Sequence, residues 1–127
     1  MSNEQYLAIL DLGSNSVRLK ITKIQDNGSF ETVQYEKRYV RLASNMGPEK
    51  MLKSAPVKRT IDALKEFRTI CDRYRNKKLT IIAVATAAVR QAQNQLQFLE
   101  KVKQETGFEI HVISGEREAY LDYVGVN

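Results

Sequence analysis

Cysteine and histidine are almost missing from this chain, which has one of each, Cys71 and His111. A single cysteine excludes an internal disulfide and suits a reducing cytoplasm, the expected location. One Cys with one His leaves no zinc constellation. No apolar run approaches the ~20 residues of a membrane-spanning helix, so no membrane association is expected. Met1-Ser2-Asn3-Glu4-Gln5 is polar and lacks a basic segment ahead of an apolar one, so no secretory signal is expected either. Nor does any stretch interleave aromatic and basic residues in the way of an RNA-recognising sheet face, and no nucleic-acid partner is expected.

What is present fits one folded domain. A chain of 127 residues can close a core, and its 43% hydrophobic and 28% charged shares are ordinary for a globular protein. Twenty Lys and Arg against 15 Asp and Glu give a net charge of +5. That favours anionic partners without choosing among nucleic acid, nucleotide and polyphosphate.

The chain begins with an apolar run, Tyr6 to Leu10, followed by Asp11-Leu12-Gly13-Ser14-Asn15-Ser16 and then by alternating residues 16–25, with Val17, Leu19 and Ile21 on one face. This pattern predicts a buried strand over 6–12, a tight polar turn, and a half-buried antiparallel strand. Asp26-Asn27-Gly28-Ser29 predicts a hairpin turn, since Asn-Gly supplies positive φ. Residues 30–40 favour a third strand. Residues 41–54 contain the breaker cluster Asn45-Met46-Gly47-Pro48 and read either as a functional loop or as a plain surface connection, with a short helical turn over 49–53.

Ser54 reads as the N-cap of a helix running to about Arg75, with Val57, Ile61, Leu64, Phe67, Cys71 and Tyr74 in one stripe. Cys71 lies in that stripe and so reads as a core thiol. Leu79 to Ala85 is a near-continuous apolar run, the pattern of a parallel strand covered on both faces. A helical turn through Arg90 follows. Asn94 reads as the cap of a further helix with Leu96, Phe98, Leu99 and Val102 apolar, stopped by Gly107. Residues 109–113 form a fifth strand with His111 pointing outward. Ser114 then opens a last helix with Glu118 in its first turn. The order predicts an α/β fold, a mixed five-stranded sheet with helices packed on it. Its polar stretches sit at the C-terminal ends of strands one, four and five, the edge at which open α/β sheets bind ligands.

Those stretches are Asp11 to Ser16, Ala85-Thr86-Ala87-Ala88-Val89-Arg90 with its continuation Gln91-Ala92-Gln93-Asn94, and Ile113-Ser114-Gly115-Glu116-Arg117-Glu118-Ala119. In order and spacing they resemble the exopolyphosphatase/guanosine pentaphosphate phosphohydrolase (Ppx/GppA) family, over essentially the whole chain. That family belongs to the actin, sugar-kinase and heat-shock ATPase superfamily, whose lobes are ribonuclease-H-like. The resemblance implies a phosphatase acting on inorganic polyphosphate or guanosine pentaphosphate, a divalent metal such as magnesium (Mg2+), and a homodimer in the complete enzyme. It also implies a second phosphate turn, Asp-x-Gly-Gly-Gly-Ser, which these residues lack. Residues 1–127 are therefore expected to form the first of two lobes, inactive when isolated. Apolar surface around Tyr120, Tyr123 and Val124 would favour self-association.

Hydrolysis of a phosphoanhydride needs its charge held, a metal to offset it, and an oriented water. Gly13 lets backbone approach a ligand closely, and the hydroxyls and N–H groups of Ser14, Asn15 and Ser16 can wrap a phosphate. Arg90 offers a planar fork for phosphoryl oxygens, or else is a helix-surface residue. Thr86 adds a hydroxyl, or else caps the strand end. Arg18 is a further candidate for substrate contact. Asp11 would repel phosphate, so its reading is to hold metal or water. By the resemblance Glu118 is the general base and a second metal ligand, with Glu116 ranked behind it. The alternatives are a kinase or ATPase lobe of the same superfamily and a non-catalytic polyanion-binding module. The kinases and ATPases usually place Gly-Thr in the first turn, where this chain has Gly13-Ser14, and lack the glutamate motif.

Overall fold

A computed structural model describes residues 4–114. Its strands are β1 (Gln5–Leu12), β2 (Ser16–Ile24), β3 (Phe30–Tyr39), β4 (Lys78–Ala85) and β5 (Ile110–Val112). Its helices are α1 (Ser54–Asp72), α2 (Ala87–Gln91) and α3 (Gln95–Thr106). The sheet order is β3-β2-β1-β4-β5. β1, β2 and β3 form an antiparallel meander, while β4 lies parallel to β1 and β5 parallel to β4. The expected mixed five-stranded sheet is therefore present.

Alternation decides which face is buried. Tyr6, Ala8, Leu10 and Leu12 of β1 and Val17, Leu19 and Ile21 of β2 form one core cluster with Ile61, Leu64, Phe67 and Cys71 of α1 and Phe98 and Val102 of α3. The predicted α1 stripe is the buried one, widened by Thr60, Ala63 and Ile70. Thr60 is tolerated there because its hydroxyl donates to the Pro56 carbonyl at 2.9 Å. Gly107 ends α3 at φ 78°, a left-handed position that suits a residue without Cβ.

Four local expectations are corrected. Lys53, not Ser54, is the N-cap of α1, and it makes no side-chain cap bond. The helix stops at Asp72, beyond which the chain tightens into turns bonded three residues back, Arg73 N–H to Ile70 O, Tyr74 N–H to Cys71 O and Arg75 N–H to Asp72 O. No helix forms over 49–53; residues 47–50 are a turn around left-handed Gly47. β4 is not covered on both faces among the described residues. Ile82 is 41% exposed, because α1 and α3 share the side of the sheet opposite to it. Leu96 of α3 also points outward, at 78% exposure.

Candidate active site

The first turn is shaped by Gly13. Its N–H donates to the Ser16 carbonyl at 2.9 Å, and a Cβ at residue 13 would lie only 3.2 Å from that oxygen. The turn's carbonyls are drawn to the segment after β3. Ser14 O accepts from Ala43 N at 3.0 Å, and Asn15 O accepts from Val40 N at 3.1 Å and Arg41 N at 2.9 Å. Among the described residues, the Ser14 hydroxyl, the Asn15 side-chain amide and the N–H groups of both make no hydrogen bond. Acceptors are tied back and donors are open, which is the arrangement an anion requires.

Asp11 is the penultimate residue of β1, beside this turn. It is 8% exposed, a costly place for a carboxylate without a partner. Its partner is Arg18, directly across on β2, whose Nη2 donates to Oδ2 at 2.6 Å. The Arg18 guanidinium, read from sequence as a substrate contact, is thus directed at Asp11. Its buried Nε has no hydrogen-bond acceptor among the described residues.

Thr86 follows β4. Its N–H and hydroxyl point at the Leu12 carbonyl, at 3.2 Å and 3.4 Å, and the residue is buried. This joins the second motif to the first and directs the hydroxyl at the backbone. Arg90 lies in α2, and its Nη1 donates to the Ile113 carbonyl at 2.7 Å, while Ile113 N–H donates to Ala85 O at 3.0 Å. The ends of β1, β4 and β5 are thereby tied into one edge. Glu116 and Glu118, with Tyr120, Tyr123, Val124 and the expected last helix, lie outside the described residues.

The sequence reading left residues 41–54 open between a functional loop and a plain connection, and it did not foresee the anchoring role of Asn94. Residues 40–53 strap across the turn, and the Asn94 side chain anchors them at Leu52. The strap has left-handed backbone at Arg41, Asn45 and Lys50, of which only Asn45 is a residue type that favours that region. Among the described residues no group of three or more His, Cys, Asp or Glu could hold a metal ion. A cavity of about 420 Å3 at Gln5, Ile24, Gln25 and Asp26 lies at the far end of β1 and β2 from the turn. No described helix is long and apolar enough to cross a membrane.

The sheet order β3-β2-β1-β4-β5, with the ends of β1, β4 and β5 at one edge, is that of a ribonuclease-H-like lobe. Residues 21–127 match the model of the Ppx/GppA phosphatase family, and the chain belongs to that family. The chain is 37% identical over 123 residues to a bifunctional 3-dehydroquinate synthase/phosphatase of Fusobacterium nucleatum, covering 94% of this chain and 18% of that protein. It is 41% identical over 120 residues to a guanosine-5'-triphosphate,3'-diphosphate pyrophosphatase of Vibrio atlanticus, covering 94% and 23%. The crystal structure of an exopolyphosphatase from Cytophaga hutchinsonii superposes with a TM-score of 0.88 at 32% identity, covering 96% and 38%. The chain spans about a fifth of the length of those two curated relatives.

Proposed function

We propose that this chain is the first lobe of a hydrolase that cleaves terminal phosphoanhydride bonds of inorganic polyphosphate or guanosine pentaphosphate. The observation that carries it is the Ser14–Asn15 turn, whose carbonyls are engaged by residues 40–43 while its donors have no partner among the described residues. The names of the related proteins point to the same substrates.

In this reading, Ser14, Asn15 and Ser16 cradle the terminal phosphoryl group, and Gly13 permits its approach. Arg90 meets the phosphoryl oxygens with the edge of its guanidinium that Ile113 leaves over, since five N–H donors exceed one carbonyl's need. Thr86 contributes by fixing the end of β4 to Leu12. Arg18 orients the Asp11 carboxylate, and Glu118 deprotonates the attacking water, with Glu116 the second candidate.

A magnesium ion is compatible with a single protein carboxylate, because it keeps several waters and takes further oxygens from phosphate. Asp11 would hold it, with Glu118 a second ligand, and bound metal would offset phosphoryl charge. The same reading takes the working protein to be a cytoplasmic homodimer. A cleft closed from one side only cannot exclude water, so the 127-residue chain alone should release no phosphate.

The test is phosphate release by the full-length protein that carries this chain, with polyphosphate, guanosine pentaphosphate and ATP side by side. Release from either of the first two supports the reading. Turnover of ATP alone would move it to the kinase and ATPase class, and salt-sensitive binding without turnover would make it a polyanion-binding module.

A further inference from the structure

Asn94 stands where a helix N-cap belongs, immediately before α3, with its carbonyl accepting from Phe98 N–H at 3.1 Å. A capping side chain would bond the free N–H groups of the first turn, and losing that bond costs about 1 kcal/mol. Asn94 makes no such bond. Its side-chain amide instead faces the backbone of Leu52. Leu52 N–H donates to Oδ1 at 2.9 Å, and Nδ2 donates to the Leu52 carbonyl at 3.0 Å. One side chain thus imitates a strand neighbour. The next bond along, Gln93 N–H to Lys50 O at 2.8 Å, extends the contact.

The segment held in this way is stiff. Ser44 N–H donates to Arg41 O, Lys50 N–H to Gly47 O and Met51 N–H to Met46 O. Val40, Leu42, Met46 and Leu52 are buried, which anchors the segment along its length. Arg41, Asn45 and Lys50 have φ of 51°, 59° and 54°, conformations that persist in such residues only where the surroundings impose them. At its other end the same segment supplies the three N–H groups that take the Ser14 and Asn15 carbonyls. A rigid strap therefore runs from Asn94 to the anion-binding turn.

We propose that Asn94 is a positioning residue for that turn: by pairing with Leu52 it holds the strap that turns the Ser14 and Asn15 carbonyls away and leaves their donors facing a phosphoryl group. This rests on the turn being a phosphate site, as proposed above. The foregone cap is the distinguishing sign, because a residue serving only α3 would direct its side chain into the helix.

The discriminating variant is Asn94→Asp. Aspartate caps a helix as well as asparagine does, yet it cannot donate to Leu52 O and its charge repels that carbonyl. Asn94→Ser caps too, but is too short to span to Leu52, and serves if the aspartate variant does not fold. Three quantities are measured on wild type and variant. They are the melting temperature, the amide exchange at Arg41 and Ala43, and the affinity for a linear polyphosphate of defined length. The expected result is a melting temperature close to wild type, faster exchange at both amides, and affinity about tenfold weaker, the scale of losing one hydrogen bond to a charged group. Unchanged exchange would show that Asn94 does not hold the strap. Faster exchange with undiminished affinity would show that the strap does not position the site, leaving the phosphate reading intact. A wild-type protein that binds no polyphosphate would overturn that reading and this inference together.

Discussion

Arg18 Nη2 lies 2.6 Å from Asp11 Oδ2, a charged pair between register partners on neighbouring antiparallel strands. The two side chains stand next to the turn that begins at Gly13. They are largely shielded, with 23% and 12% of their side-chain surface exposed, so neither charge is fully hydrated. Removing one partner leaves the other poorly solvated, a loss of about 2 kcal/mol for a hydrogen bond to a charged group. Arg18→Ala should lower stability by that order in urea unfolding. Combining it with Asp11→Ala should recover part of the loss. An Arg18→Ala protein as stable as its parent would show that the pair contributes nothing.

Arg90 is expected to resist conservative replacement. One arm of its guanidinium donates to the Ile113 carbonyl, and among the described residues no other acceptor takes its remaining guanidinium N–H groups. Lysine carries its donors on a single nitrogen at the end of a flexible stem and cannot serve two fixed directions. Arg90→Lys should therefore lose at least tenfold in kcat/KM, the equivalent of about 1.4 kcal/mol. Wild-type kcat/KM in that variant would reduce Arg90 to a surface residue.

Glu118→Gln in the full-length protein should cut turnover by about 10² or more with little change in substrate affinity, as loss of a general base does. Glu116→Gln should remain near normal. If the two outcomes are exchanged, the base lies two residues earlier.

Cys71 is 2% exposed among core residues, and burial pushes its thiol pKa from 9.0 up to about 11. Native protein at pH 8 should therefore react with iodoacetamide only as fast as it unfolds. Because the folded pKa is raised, the contribution of the protonated thiol to stability is complete below the unfolded value and disappears as pH climbs through about 11. Cys71→Ser should flatten that alkaline decline. Rapid alkylation of the folded protein would contradict the burial.

The five strands were legible because their signals are local. Alternation in Val17, Leu19 and Ile21 and the Asn27-Gly28 turn each act within a few residues. The buried stripe of α1 was legible for the same reason. Among the described residues the far face of β4 is not covered at Ile82, because an apolar run reports the preference for burial and not which segments satisfy it. Asn94 shows the same limit at the site. Its position before α3 correctly marks the helix start, but its side chain bonds to Leu52, 42 residues away.

Residue order alone determined the strand and helix sequence, the three polar motifs and their arrival at strand ends, because steric and hydrophobic periodicities are properties of neighbouring residues. Only the tertiary structure decided which donors those motifs leave open. The Ser14 and Asn15 carbonyls are engaged by residues 40–43, the Thr86 hydroxyl faces Leu12, and Arg90 is pinned by Ile113. Each of these bonds joins segments that meet only once the sheet is assembled. A hydrogen-bonding group is committed by whatever partner lies within reach, and that partner is set by packing.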